Sequence, residues 1–296
     1  MSVTGPVSRG IAHHPYPIRK LDELPESLMR LAHEYAHLYD CFDFMMIVPS
    51  QSFIKGLFTR RMVPQQALLF YPEGVLHLQD NRSAGVPGTA TWIEARSATR
   101  LGNSLLLLHG KLEFTAESGA TIQTIEVEYN TVAYDLLKPS IQRFLQQACS
   151  SLGRNVTATA DCKSPDTSGL PYKFQSGLRI YALLPDEKVC GFVFQPEIRE
   201  PRLGFMRRKI TPNTLIALTD RQVVFIQEEL STPTNYGWVI THVPRQRIAK
   251  VRCDPAGERQ IISIRNGVNR AIKTLIVTTE IAKQWMQLAE TLLLPD

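Results

Sequence analysis

Short apolar runs broken by glycine and proline fill two long stretches of the chain, and each stretch ends in a change of period. In the first, 44–48, 53–59, 67–71, 75–79, 91–95, 104–108, 111–115 and 121–128 read as strands, separated by turn signals at Pro49, Pro72-Glu73-Gly74, 83–88, Gly110 and Ser118-Gly119. From 134 to 149 the spacing shifts to three and four: Leu137, Ile141, Phe144, Leu145 and Ala148 share one face, which predicts an amphipathic helix with Asp135 near its positive end. The second stretch repeats this order. Strands are expected at 189–194, 215–218, 222–227, 238–241, 248–252, 261–265 and 275–278. A closing helix over 280–293 carries Ile281, Trp285, Leu288, Ala289 and Leu292 on one face.

The two stretches share spacing as well as order. Pro49, Phe58, Arg60, Arg61, Val63, Leu68, Leu69 and Glu73 recur as Pro196, Phe205, Arg207, Arg208, Ile210, Leu215, Ile216 and Asp220, each 147 residues on. A duplicated domain is the expected source. The 296 residues exceed what one core usually organises, so two domains are also the expected solution by size. The divisions are an N-terminal tail and lead-in helix at 1–38, a first domain at 39–150, a linker at 151–185 and a second domain at 186–296. The linker assignment rests on the Ser, Thr, Gly, Pro and Asp content of 151–177.

Composition narrows the classes. Hydrophobic residues at 44% and charged residues at 21% are those of a globular protein with a core. No apolar run approaches the roughly 20 residues of a membrane-spanning helix. Residues 1–20 have no apolar segment of the secretory type, so the expected location is cytoplasmic, peripheral at a membrane if bound there. Five scattered cysteines, Cys41, Cys149, Cys162, Cys190 and Cys253, never form a C-x-x-C spacing and read as reduced thiols. Charge is uneven: residues 39–150 hold nine basic and ten acidic residues, residues 186–296 sixteen and twelve. An anionic partner is therefore expected at the second domain.

Two segments have a familiar form. Leu215-Ile216-Ala217-Leu218-Thr219-Asp220-Arg221-Gln222-Val223-Val224-Phe225-Ile226 resembles the central hairpin of GRAM and bacterial PH-like domains. The segment Ala67-Leu68-Leu69-Phe70-Tyr71-Pro72-Glu73-Gly74-Val75-Leu76-His77-Leu78 is similar, and Pro244-Arg245-Gln246-Arg247-Ile248-Ala249-Lys250-Val251 resembles the strand approach that follows it in that family. The resemblance implies a mainly β fold with α: two tandem PH-like domains, each a curled antiparallel sandwich of about seven strands capped by a C-terminal helix. It also implies a non-enzymatic binding or adaptor module. The family's basic ligand pattern lies around the first hairpin, where the nearest equivalents are Lys55, Arg60 and Arg61 in one domain and Arg202, Arg207, Arg208 and Lys209 in the other. The expected partner is an anionic lipid surface or an acidic protein. A PTB-like peptide groove framed by Phe58 and Phe205 is the alternative.

One motif points elsewhere. His33-Glu34-Tyr35-Ala36-His37 is a formal H-E-x-x-H, which on a helix sets two imidazoles on one face for zinc and a glutamate beside them. Residues 38–44 lack the Gly and His of the metzincin continuation, and 147 residues on stand Ile180, Tyr181 and Leu184. The expected role is a helix spanning 25–39, docked by Leu28, Leu31, Tyr35 and Leu38, with no metal or cofactor. Phosphate loops and nucleophile elbows are absent, and the basic residues lack the interleaved aromatics of a nucleic-acid surface.

Overall fold

The computed structural model of the chain describes residues 14–35, 42–55, 59–81, 85–119, 121–150, 162, 165–201, 207–229 and 237–293. In the first half, β1 (Tyr16–Ile18), β2 (Phe44–Val48), β5 (Gln65–Tyr71), β6 (Gly74–Asp80) and β7 (Thr89–Glu94) form an antiparallel sheet in the order β1-β2-β5-β6-β7. Between β2 and β5, β3 (Gln51–Lys55) and β4 (Thr59–Val63) make a separate hairpin. After a 3-10 turn at Ala95–Ser97 come β8 (Ala98–Leu106), β9 (His109–Ser118), β10 (Thr121–Asn130) and helix α2 (Tyr134–Cys149).

The first sheet is covered on both faces, so its strands read as unbroken apolar runs rather than as alternation. Met46, Val48, Leu68 and Phe70 face a core shared with Phe114 of β9 and Phe144 of α2. Their neighbours Met45, Ile47, Ala67 and Leu69 face outward against Leu24, Leu28 and Ala32 of a segment containing helix α1 (Glu26–Ala32).

The second half runs through β11 (Val189–Gln195), a hairpin of β12 (Ile198–Pro201) and β13 (Arg207–Thr211), then β14 (Thr214–Thr219), β15 (Gln222–Glu228) and β16 (Trp238–Pro244). A 3-10 turn at Arg245–Arg247 leads to β17 (Lys250–Ala256), β18 (Arg259–Arg265), β19 (Ala271–Thr278) and α4 (Thr279–Leu292). Trp285 of α4, fully buried, packs with Ile216, Leu218, Phe225 and Ile262. Thr278 caps α4, its hydroxyl accepting from the Ile281 amide.

A single seven-stranded sheet joins the halves, in the order β10-β9-β8-β16-β15-β14-β11. Its central seam is β8 against β16, with Leu101 opposite His242 and Leu105 opposite Trp238. Side chains reinforce the seam. Arg270 and Asn266 of the second half both bind the Glu117 carboxylate of β9, and Gln246 donates to the Ala148 carbonyl at the end of α2.

Several expectations change. The 53–59 strand is instead two antiparallel strands, with Lys55 opposite Thr59. Gly110 lies within β9, not at a turn, and is needed there because a Cβ would come 2.4 Å from the Tyr129 ring; Leu107 takes the turn itself at φ +48°. The interval of 147 holds where Ile54 pairs with Arg60 and Pro201 with Arg207, but fails in β5 and β14, beyond a register shift in the β12–β13 pairing. Leu68 faces the inner core whereas Leu215, 147 on, faces the outer cluster, and the residue matching Leu68 in face and register is Ile216. A shift of one residue reverses a strand's faces, so side-chain burial separates an interval of 147 from one of 148.

The stretch expected as linker contains helix α3 (Tyr172–Gly177), continued by a π-helical turn at Leu178–Ala182. Leu170, Phe174, Leu178 and Ala182 pack on Leu215, Ala217, Val224 and Ile226, on the outer face of the second half's first sheet. Cys162 and Cys190 form a disulfide, contrary to the expectation of reduced thiols, tying the 162 region to β11. Cys149 and Cys253 are free, and Cys41 lies outside the described residues. Among the described residues no helix is long and apolar enough to cross a membrane.

Candidate functional site

The basic candidates fall on the two hairpins. In the first half, strand pairing sets Arg60 opposite Ile54 and Arg61 opposite Phe53, with Lys55 at the inner end of β3. In the second, Arg207 pairs with Pro201, Arg208 with Glu200 and Lys209 with Arg199; Arg202 lies outside the described residues. Lys209 Nζ lies 3.2 Å from Glu197, which Arg199 also contacts at 2.6 Å, while Glu200 pairs with Arg259 at 2.5 Å. These cations hold the Glu197 carboxyl below its ordinary range against the opposing effect of desolvation. Arg199 and Lys209 thus share the Glu197 carboxylate, and with Arg207 and Arg208 also in sequence on these strands the hairpin carries more basic than acidic residues. Arg208 is exposed. The pairing of β12 with β13 sets Arg199 opposite Lys209, an ion pair to Glu200 brings Arg259 in from β18, and the two glutamates temper the cluster.

The described part of the H-E-x-x-H segment, residues 33–35, is not regular α-helix. Helix α1 ends at Ala32 and residues 33–35 form a 3-10 turn, so regular α-helical stacking stops where the motif begins. His37 and Leu38 lie outside the described residues. Among the described residues no group of three or more His, Cys, Asp or Glu is arranged to hold a metal ion. Leu28 docks as expected, with Leu31 and Tyr35 packed partly against the same cluster.

Tertiary packing also creates a cleft at the junction of the halves. Tyr134 and Asp135 at the start of α2, Tyr181 in the π-helical turn, Trp238 at the start of β16, Leu107 and Lys173 line a space of about 490 Å³. The Tyr134 and Tyr181 rings are 5.7 Å apart, and Phe174 meets Trp238 edge to face at 5.3 Å. Lys173 Nζ sits 4.6 Å over the Trp238 ring and 3.0 Å from Glu228. Beside the cleft, Leu107, Leu108 and Val132 are 75%, 68% and 71% exposed, an uncommon concentration of apolar surface. Sequence reasoning missed this cleft, because its parts come from four segments spread over more than a hundred residues. The leucine pair at 107–108 was its one local signal.

Two buried histidines are structural. Gln66 Oε1 can only accept, so Nε2 of His77 carries the proton across their 2.9 Å contact; by the same logic Nδ1 of His242 donates to Gln222 at 3.0 Å. Burial lowers both pKa values to about 4 and keeps the rings neutral. The Gln222 amide continues to Glu187, whose carboxylate also accepts from Thr219 and from the Leu184 amide. This network is closed to solvent and locks the β14–β15 turn to the segment after α3. Lys273, on β19, donates to Gln227 at 2.7 Å, and desolvation together with the nearby Arg100 charge lowers its pKa to about 8. Trp92 and Trp238 both anchor outer sheet faces, Trp92 against Tyr71. Compared with family models and with curated proteins, the chain matches none.

Proposed function

We propose that the chain is a non-enzymatic binding module made of two duplicated, tandem PH-like halves, and that it contacts an anionic surface through the β12–β13 hairpin of the second half. The observation that carries the ligand reading is the placement of Arg199, Arg207, Arg208 and Lys209 on one two-stranded hairpin with an excess of positive charge. Support for the architecture comes from the recurrence of one element order: strand, hairpin, three strands, 3-10 turn, three strands and helix. The recurrence extends to the outer helices. Leu24-Pro25-x-x-Leu28 and Leu170-Pro171-x-x-Phe174 open α1 and α3 in the same way, and both prolines accept from the amides three and four residues ahead.

Each cation near an anionic leaflet contributes about 1 kcal/mol, so the surplus on one hairpin gives weak binding. The first half's hairpin, with Lys55, Arg60 and Arg61, adds avidity only if both reach the same surface. Sedimentation with phosphatidylserine vesicles against pure phosphatidylcholine vesicles tests this. Binding is expected only to the former, weakened by salt and by the double substitution Arg207→Glu, Arg208→Glu. Equal binding to both vesicle types, or binding insensitive to that substitution, refutes the anionic-surface reading.

A second reading, a peptide-binding module, is favoured by the junction cleft and the exposed Leu107, Leu108 and Val132 beside it. Phe58 and Phe205, the groove residues expected for such a module, lie outside the described residues. A peptide selected on the wild-type protein should lose affinity for Leu107→Ser, Leu108→Ser, and unchanged affinity removes this reading.

A further inference from the structure

The seam between the halves uses one strand edge from each and leaves the corresponding pair of edges open. β8 follows the first 3-10 turn and β16 precedes the second, and these two strands pair. Their counterparts are β17, which follows the second turn, and β7, which precedes the first. Among the described residues both are terminal: β7 ends the five-stranded sheet and β17 ends the sheet β17-β18-β19. Here matching positions are 150 apart. The two turns fall at Ala95–Ser97 and Arg245–Arg247, Leu101 and Val251 are both buried, and so are Ile93 and Val243.

We propose that β17 of one copy pairs antiparallel with β7 of a second copy, in the register of the β8–β16 seam, so that copies of this chain associate head to tail. This rests on the reading of the chain as two equivalent halves. In the seam Asn103 stands opposite Ile240, and Gly102 opposite Thr241. Carried over, Cys253 stands opposite Ala90 of the second copy, and Arg252 opposite its Thr91.

Face parity supports that register. Asn103 is turned to the first-half core, where the Tyr129 hydroxyl donates to it, while Ile240 belongs to the outer cluster under α3. The seam therefore joins an inner-facing position to an outer-facing one. Cys253 packs against the second-half core and Ala90 against the outer cluster under α1, so the transferred pair has the same parity. A slip of one residue breaks it. Charge is compatible with it, since Arg252 and Asp254 of β17 fall opposite Thr91 and Thr89 and no like charges oppose. Pro255 falls opposite Gly88, just outside β7, and so confines pairing to 251–254 without interrupting it. The contact uses different surfaces on the two partners, so it repeats from copy to copy and yields a ring or a filament.

Ala90→Cys supplies a cross-linking partner for the native Cys253 across this contact. Under mild oxidation the full-length variant should give a ladder of covalent multimers on a non-reducing gel, and adding Cys253→Ser should abolish it. In a Cys253→Ser background, Asn103→Cys with Ile240→Cys should close a bond within one chain, which reports on the seam itself. Sedimentation equilibrium gives a reading free of thiols. Thr91→Lys, placing like charges opposite, should weaken self-association roughly threefold to fivefold, and Arg252→Glu should restore it. A chain that stays monomeric at every concentration, or a ladder that survives Cys253→Ser, overturns the proposal while the intrachain bond still upholds the β8–β16 seam from which the register is taken. Failure of the intrachain bond overturns both.

Discussion

At the scale of single residues, the most consequential groups are polar ones inside the fold. His77 and His242 are neutral when folded, with pKa values lowered to about 4 by burial, whereas the unfolded chain protonates near 6.5. The unfolded state therefore binds more protons between these values. Stability is fully present above about pH 6.5 and is lost as pH falls toward 4, by up to about 3 kcal/mol for each ring. Chemical denaturation at a series of pH values should show this slope, and His77→Gln, which cannot titrate, should reduce it by about half. The histidines were visible in the sequence; their neutrality was not, because it depends on burial that only the packed strands create. The same holds for Glu197, whose partners Arg199 and Lys209 come from both strands of a hairpin.

At the scale of elements, hydrophobic period located most strands and both long helices. The spacing expected over 134–149 coincides with α2, since one buried stripe and a polar remainder suffice to specify a surface helix. Composition overrode period at α3, where Leu170, Phe174, Leu178 and Ala182 recur every four residues but the Ser, Thr, Gly and Pro content of 151–177 looks like linker. Its anchoring residue decides the matter. Phe174 is buried against Phe194 and Trp238, with ring centroids at 5.0 and 5.3 Å. Phe174→Ala should cost about 3 to 5 kcal/mol in urea denaturation, where a true linker position would cost nearly nothing. The lead-in helix shows the opposite error. Its apolar spacing continues past Ala32, yet the α-helix gives way there to a 3-10 turn over 33–35, a change of pitch that apolar spacing does not record.

At the scale of the whole molecule, the joined sheet decides how the halves behave. Five paired positions between β8 and β16, the Glu117 carboxylate binding Arg270 and Asn266, and Leu184 packed into the first-half core make separation of the halves costly. Scanning calorimetry should therefore give one cooperative transition. Glu117→Ala, which removes the acceptor shared by Asn266 and Arg270, should lower stability by about 1 to 3 kcal/mol and begin to resolve two transitions. Two well-separated transitions in the unaltered protein would contradict the seam. The disulfide adds a constraint of the same scale, closing a loop of 28 residues between Cys162 and Cys190.

The sequence by itself determined where strands and long helices lie, that their order recurs, and where basic residues gather, because each of these depends on neighbours within a few positions. Only the tertiary structure decided the register of the recurrence, since 147 and 148 differ only in which face a side chain buries. It also decided the pairing of β8 with β16, the cleft beside Trp238, the Cys162–Cys190 bond and the packing of α3. These depend on residues brought together across many tens of positions, where backbone hydrogen bonding and burial at a shared edge leave no periodic trace in the chain.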